Sequence, residues 1–214
     1  MKIAIMQPYF MPYIGYYQLI NEVDMFIFYD DVNFIKGGWI NRNYITINNQ
    51  PSRFTIPLKK ISSFKKINET FVDWDSKHMN KFIKTFNLYL KDKPNSKKVM
   101  DEIFEIKPKT ISEMSILSIE LSCKYLGINT IFKKSSDLDF IRVKDKTLNL
   151  INICKNQNQS NYVNMIGGEH LYSKDLFNQQ GIFLSFMRSS PSLSMIEFLD
   201  NPNIKKKLNE YEII

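Results

Sequence analysis

The chain has 214 residues, of which 43% are hydrophobic and 24% are charged, and its formal net charge is +7. This length suits one domain, because single hydrophobic cores usually stop growing near about 250 to 300 residues. With only seven glycines and eight prolines, the composition excludes a disordered or collagen-like chain.

No apolar run is long enough for a transmembrane helix, and the start, MKIAIMQP, indicates a strand rather than a signal peptide. We therefore expect no membrane insertion. The two cysteines, Cys123 and Cys154, lie in apolar helical patterns. This context favours buried free thiols over a disulfide framework and predicts a cytoplasmic location.

The chain opens with a β-α-β pattern. Residues 2–6 and 25–29 are apolar runs of strand length, and helical spacing begins between them at Ile14. We expect two parallel strands that are buried on both faces. Such strands carry a ligand site in the loops after their carboxyl ends, which here are residues 7–13 and 30–42.

A hairpin and a helical segment come next. The alternating segments YITIN and RFTIPL around NNQPS predict a β-hairpin. Amphipathic spacing predicts helices over 75–91 and 99–106. A stronger helix begins at the cap Thr110, has Glu113 in the place of a capping box, and ends at Gly127.

Short strands and helices alternate in the rest of the chain. NTIFKK, NYVNMI and IFLSFM predict strands, and the helices are expected at 145–156, 173–179 and 193–200. KKKLNEYEII predicts a loosely held terminal helix. The fold class is thus α/β: a mostly parallel sheet with flanking helices, an N-terminal β-α-β unit, a β-hairpin and a helical middle segment. We interpret residues 1–214 as one domain with a candidate hinge at 91–97.

The densest polar cluster follows the second predicted strand. Asp30 and Asp31 end a buried strand, so at least one carboxylate should face the crevice for catalysis or metal binding; alternatively, one caps a turn and the other is solvated. Further along are groups suited to a phosphate or carboxylate and a stacking face, namely Lys36, Asn41, Arg42, Asn43 and Trp39. The alternative is an ordinary β-turn with a partly buried Trp.

The loop after the first strand is rich in amides and hydroxyls. Gln7, Tyr9, Tyr13 and Tyr16 could line a sugar- or base-binding pocket, although the tyrosines could equally form the edge of the core.

Two further features are candidates for chemistry. His78 has a side chain suited to general base work at neutral pH, yet a lone histidine is more often structural or exposed. Gly167 and Gly168 could present backbone N–H groups to a phosphate, or form a plain turn. The chain lacks GxxxxGK[ST], GxGxxG, HExxH, CxxC and GxSxG, which disfavours the enzyme classes that carry those motifs.

Two segments, MQPYFMPYIGYYQLI and DMFIFYDDVNFIKGGWINRN, resemble the opening of the WbqC-like family, and the resemblance continues to LSMIEFL. It implies a bacterial cytoplasmic protein of O-antigen or other surface-polysaccharide biosynthesis. Two features depart from the family pattern: the stretch between Phe186 and Leu193 is shorter, and Asn149 stands in place of a basic residue. The family pattern maps onto Gln7, Pro8, Tyr13, Gly15, Tyr16, Asp30, Asp31, Lys36, Trp39, Asn41, Arg42, Asn43, His78, Gly167, Gly168 and Tyr172.

The resemblance and the residues together predict an enzyme that acts on a nucleotide-linked sugar by N-acyl or aminoacyl transfer to an amino sugar. The partners would be the nucleotide sugar and an acyl donor, with no cofactor and no assigned metal ligand. The first alternative is a nucleotidylyltransferase-like enzyme that uses Mg²⁺ at Asp30 and Asp31. The second is a non-catalytic assembly or binding factor of the same pathway. No nucleic acid is expected, because the lysines are scattered, and the oligomeric state is left open.

Overall fold

A six-stranded sheet forms the centre of the protein in the computed structural model, which describes residues 1–190 and 193–214. In chain order the elements are β1 (Lys2–Met6), α1 (Ile14–Glu22), β2 (Met25–Phe28), β3 (Arg42–Ile47), β4 (Gln50–Thr55), α2 (Lys77–Tyr89), α3 (Pro94–Ile106), α4 (Ile111–Leu126), β5 (Ile131–Lys134), α5 (Lys146–Asn156), β6 (Asn161–Met165), α6 (Lys174–Gln179), β7 (Phe183–Ser189), α7 (Ile204–Lys207) and β8 (Tyr211–Ile213). Short 3₁₀ turns occupy 67–69, 135–137, 166–171 and 195–197.

The strand order in the sheet is β5-β2-β1-β6-β7-β8. All neighbours are parallel except β7 and β8, while β3 and β4 form a separate antiparallel hairpin. This arrangement confirms the predicted α/β fold class. The chain builds outward from β1 on one side and then returns to build outward on the other, so the strand order reverses between β1 and β6.

Alternate residues of the central strands face two helical layers. Ala4 and Phe26 pack in one core with α1 and α4, whereas Ile3, Ile5 and Ile27 pack in another with α5 and α6. The alternation follows from the two-residue period of a strand. Both faces of the sheet are therefore covered, which leaves its carboxyl edge as the place for a ligand.

Helix α4 has the predicted capping residues. The Thr110 hydroxyl accepts from the Glu113 N–H at 3.2 Å, and the Glu113 carboxylate accepts from the Thr110 N–H at 3.0 Å. Gly127 closes the helix with φ of 76°. Because α4 leads into β5 and runs antiparallel to it, its first turn lies at the carboxyl edge of the sheet.

The hairpin turn is shorter than the sequence suggested. Asn48 and Asn49 form it, with φ of 52° and 57°, whereas Pro51 and Ser52 already belong to β4. Two consecutive positive φ angles match the tight turn that suits the twist of paired strands, and asparagine tolerates them better than most residues.

The predicted start of α3 was wrong, because the helix begins at Pro94 rather than near residue 99. Proline is well suited to the first turn, where its missing N–H needs no partner. The candidate hinge at 91–97 thus contains the end of one turn and the start of α3. There the N–H groups of Asn95 and Ser96 donate to the Asp200 carboxylate at 2.8 and 3.0 Å. The single domain and its hinge stay predictions.

The predicted helix over 193–200 was wrong, since only Met195–Glu197 forms a 3₁₀ turn. The terminal helix was only partly right: α7 covers four residues, and the chain then forms β8, whose Ile213 pairs with Met187 of β7. Pairing with the exposed side of β7 outweighs local helical preference there. The stretch expected to be short, between Phe186 and Leu193, includes residues 191 and 192, which lie outside the described residues. Among the helices of the described chain, none is both long and apolar enough to cross a membrane.

Candidate functional site

A cavity of about 850 Å³ lies at the carboxyl edge of the sheet, beyond the ends of β2 and β5. Its walls come from the first turns of α4, from the turn around Asn68 and from the segment that follows β5. Parallel strands bring their carboxyl ends together, and α/β sheets bind ligands at this edge, although the cavity lies beside β2 and β5 rather than at the reversal between β1 and β6. The volume falls within the range of small-molecule sites in proteins.

Asp30 and Asp31 form the floor of this cavity, with only 2% and 9% of each residue exposed. Asp30 accepts from the Ser136 N–H at 3.0 Å, from the Ser136 hydroxyl at 2.8 Å and from the Asn68 amide at 3.4 Å. The Ser135 hydroxyl donates to Asp31 and lies 3.2 Å from Asp30. Burial of two adjacent carboxylates is tolerated because these donors satisfy them.

Arg142 is the cation at this floor, and it pairs with one of the two carboxylates. Its guanidinium forms an ion pair with Asp31, donates to the Ser135 carbonyl at 2.9 Å and lies 4.1 Å from the centre of the Phe140 ring. In the described part of the chain, Asp30 makes no ion pair. The floor therefore carries two negative charges against one positive charge, which favours a cationic group on a ligand.

The cavity as a whole also has an excess of acidic over basic side chains. Acidic side chains in the lining outnumber basic ones by six to four. The acidic residues are Asp30, Asp31, Glu69, Glu113, Glu120 and Asp137, and the basic residues are Lys66, Lys133, Lys134 and Arg142. The cavity can thus bind an ammonium group at its floor and still offer lysines to an anionic group.

Glu120 is the wall carboxylate that is free for chemistry. The Glu113 carboxylate caps α4, and Asp137 pairs with Lys134 at 3.1 Å, but Glu120 has no hydrogen bond or ion pair within the described residues. Glu120 is at an exposed position of α4, and partial desolvation of its carboxyl group beside the cavity raises its pKa above the usual value, while the nearby Lys134 opposes the rise. A carboxylate with a raised pKa is a better proton acceptor near neutral pH.

Comparison with known proteins bears on the same part of the chain. The model of the WbqC-like protein family matches residues 7–196, which include the cavity floor and walls. The chain belongs to the WbqC-like protein family. This WbqC-like protein is 28% identical over 185 residues to the uncharacterized protein Rv1507c of Mycobacterium tuberculosis, a match that covers 85% of this chain and 79% of that protein. No solved structure matches the chain significantly.

The candidate residues after β1 form a packed cluster in this WbqC-like protein. The Tyr9 and Tyr16 rings meet edge to face at 5.4 Å, the Tyr16 hydroxyl donates to the Gln7 carbonyl at 3.2 Å, and the Tyr13 N–H donates to the Tyr9 hydroxyl at 3.3 Å. Burial raises the pKa of Tyr9, Tyr13 and Tyr16. None of these four residues lines the described cavity.

The candidates in the second loop divide into buried and exposed groups. The amides of Asn41 and Asn43 donate to the carbonyls of Ile56 and Met11 at 2.8 and 2.6 Å, so these two residues join the loops to each other. Arg42 is half-buried, and its Nε has no partner among the described residues. Lys36 and Trp39 are exposed, and the Trp39 ring lies 5.9 Å from Tyr44.

The loops after β1 and β2 contact each other, as their strand positions predicted. The Phe10 N–H donates to the Ile40 carbonyl at 3.0 Å, which adds to the bond between Asn43 and Met11. Of the residues proposed from the sequence, however, only Asp30 and Asp31 line the large cavity.

His78 and the two glycines lie elsewhere. His78 is exposed in the first turn of α2 and does not line the cavity. Gly167 and Gly168 belong to the 3₁₀ turn after β6. A side chain at Gly168 would come within 3.2 Å of the Asn164 amide and the Tyr172 ring, whereas Gly167 faces open space. Their proposed roles stay predictions.

Asp30 and Asp31 are the candidate metal ligands at the cavity floor. Carboxylate oxygens are suitable Mg²⁺ ligands. Nowhere in the described residues do three His, Cys, Asp or Glu side chains converge on one point. Two carboxylates that already accept protein hydrogen bonds are a poor fit to a resident metal ion, although a substrate could still bring one.

Sequence reasoning did not find Ser135, Ser136, Arg142 or Glu120, which follow Asp30 by about a hundred positions. One signal was available for Arg142. The chain has 29 Lys and Arg residues, of which only four are arginine. In so lysine-rich a sequence, the four arginines are positions to examine for a role of the planar guanidinium, although exposed Arg188 shows that the signal is not specific.

Proposed function

We propose that this WbqC-like protein is a transferase that adds an acyl or aminoacyl group to the amine of a nucleotide-linked amino sugar for bacterial surface polysaccharide such as O-antigen. The observation that supports it is the cavity floor, where Arg142 pairs with Asp31 and leaves the Asp30 carboxylate without an ion pair among the described residues. An amino sugar is a substrate whose ammonium group fits this charge. Its diphosphate would be bound by Lys66 on the wall and by Lys134, which would exchange Asp137 for phosphate, whereas Lys133 donates to Gln157 after α5.

The chemical step needs a neutral amine. Asp30 and Asp31 would attract and orient the ammonium, and Glu120 would accept one of its protons. The nitrogen then forms a bond to the carbonyl carbon of an activated donor, while the bond from that carbon to the leaving group breaks and the leaving group takes the second amine proton. His78 has no step in this proposal, because it does not line the cavity.

The test is to incubate the protein with nucleoside-diphosphate amino sugars and acyl or aminoacyl donors, and to weigh the sugar product by mass spectrometry. The matched control substrate is the same sugar with its amine already acetylated. We expect a mass gain only with the free amine, and a loss of turnover of about 10²-fold or more in Glu120→Gln.

Two results would contradict this function. Release of pyrophosphate without a mass gain on the sugar nitrogen would favour nucleotidylyl transfer with Mg²⁺. If no nucleotide or nucleotide sugar raised the melting temperature, a non-catalytic factor of polysaccharide assembly would be favoured.

A further inference from the structure

One segment of the chain has the same net positive charge as the whole chain. Residues 32–68 contain seven Lys and Arg residues and no Asp or Glu, and the net charge of the chain is +7. The remaining residues are therefore balanced, with 22 basic and 22 acidic side chains. Lysines are spread along the sequence, and residues 76–100 also hold seven of them, but that stretch contains Asp92 whereas residues 32–68 contain no acidic side chain.

The fold gathers part of this segment on one surface. Asn33 and Lys66 form an isolated antiparallel β-bridge, and the Phe34 N–H donates to the Lys65 carbonyl at 2.8 Å. The residues next to this pairing are Ile35 and Phe64. The loops at 33–39 and 59–66 therefore lie side by side at the carboxyl edge of the sheet, where Asn68 also donates to the Asp30 carbonyl.

Apolar side chains project from these same two loops. Phe64 is 92% exposed, and Ile35, Trp39 and Ile61 are exposed as well. We call these four residues, together with Lys36, Lys60 and Lys65, the basic apolar surface. None of its three lysines forms an ion pair among the described residues; Lys59, outside it, is partly neutralised by Asp73 and Asp75.

We propose that the basic apolar surface docks this protein on the surface of an anionic lipid bilayer. Lysines beside protruding aromatic and aliphatic side chains match such a surface, whose negative head groups attract the cations while its acyl boundary accepts the apolar tips. The aliphatic side chains of Ile35 and Ile61 have no ring on which a base could stack, which disfavours a nucleic acid. Docking differs from insertion, because no helix needs to cross the bilayer.

The basic apolar surface lies next to the rim of the cavity. Lys66 lines the cavity and directly follows Lys65 of the basic apolar surface. A docked molecule would therefore hold the rim of its cavity close to the lipid head groups.

The first test is co-sedimentation of the whole protein with vesicles. We expect binding to vesicles of phosphatidylcholine with phosphatidylglycerol, little binding to phosphatidylcholine alone, and a decrease as salt is raised. Equal binding to both vesicles, or to neither, overturns the proposal.

Matched charge variants locate the contact. Lys36→Gln, Lys60→Gln and Lys65→Gln together should weaken vesicle binding about 100-fold, since each lysine near an anionic surface contributes about fivefold. The control carries the same loss of charge at Lys205, Lys206 and Lys207 of α7, near the start of β1 at the other edge of the sheet, where α1 contacts α7 through Gln18. It should bind as the parent does. Equal weakening by both triple variants would show non-specific attraction and overturn the proposal.

Phe64→Ser separates lipid from other polyanions. The side chain is almost fully exposed, so the fold should be unaffected, as circular dichroism can check. We expect about tenfold weaker vesicle binding from the loss of the apolar tip. The proposal fails if Phe64→Ser binds vesicles unchanged, or if mixed-sequence RNA binds more tightly than the anionic vesicles at the same salt concentration.

Discussion

Arg142 and Asp31 form an ion pair in which one partner is buried and the other is partly exposed, with 5% of the Asp31 side chain and 40% of the Arg142 side chain accessible. Replacing Arg142 by Gln leaves the Asp31 carboxylate without its countercharge and the Ser135 carbonyl without a donor. We expect the free energy of unfolding to fall by about 1–3 kcal/mol. Urea denaturation measures this change.

The control is Arg188→Gln, because Arg188 and Glu212 form a pair in which both side chains are well exposed. That variant should change the free energy of unfolding by less than about 0.5 kcal/mol. Similar losses in the two variants would mean that the cavity floor does not depend on Arg142.

Glu120 gives a pH-dependent prediction. Its pKa is raised in the folded protein. Its favourable contribution to the free energy of unfolding is therefore complete below the unfolded-state pKa and is lost as pH rises through the folded-state pKa. Glu120→Gln cannot ionise. Its melting temperature relative to the parent should therefore increase between about pH 4 and pH 7. Glu105→Gln, at a position of α3 that is exposed like that of Glu120 but does not line the cavity, is the comparison, and a pH-independent difference for Glu120→Gln would contradict the prediction.

The floor of the cavity could be predicted from the sequence, but its walls could not. Asp30 and Asp31 directly follow a buried strand, and local order alone places them at the carboxyl edge. Ser135 and Arg142 reach them only because β5 lies beside β2, and that neighbour relation depends on the packing of the whole sheet. The imidazole of His78 suggested a catalytic role, but its local sequence does not indicate where it lies, since nothing there fixes which way the first turn of α2 faces.

At the scale of single elements, the contribution of Gly127 to the end of α4 can be measured by replacing it with alanine, with Gly167 as the comparison. Gly127 has φ of 76° and Gly167 lies outside the left-handed region, and a methyl group would meet no atom within 4 Å at either position. Gly127→Ala should therefore cost about 1 kcal/mol from backbone conformation alone, while Gly167→Ala should be nearly neutral. Thermal unfolding of the two variants checks this. Equal melting temperatures would show that α4 can end without the left-handed residue.

Elements with strong local signals were predicted well, and those formed by distant contacts were not. The capping box at Thr110 and Glu113 and the C-cap at Gly127 lie within one helix, so the sequence contains all the information needed. By contrast, β8 is a strand because Ile213 finds Met187 of β7 as its partner. No feature of the terminal segment alone indicates that pairing.

At the scale of the whole molecule, the two thiols report on the two helical layers. Cys123 packs with α1 in one core and Cys154 with α6 in the other. Burial raises the pKa of both thiols, that of Cys154 to about 12. In native protein at pH 8 both should react with a disulfide reagent roughly 10³-fold more slowly than an exposed thiol.

If the chain is one cooperative domain, mass spectrometry of labelled peptides should show equal rates for Cys123 and Cys154 under native conditions. Faster labelling of Cys154 would indicate that the layer of α5 and α6 opens by itself. That outcome would contradict the single-domain prediction.

The place of β1 between β2 and β6 has a consequence for synthesis on the ribosome. Its first partner is complete by Phe28, but its second begins only at Asn161. For most of translation, one side of the central strand therefore lacks its hydrogen-bonding partner next to the apolar side chains of Ile3 and Ile5. Such long sequence separation slows folding and leaves a nascent chain open to association with other strands. Chains stalled before residue 161 should therefore depend on chaperones that shield exposed strands, and release of β6 from the exit tunnel should end that dependence.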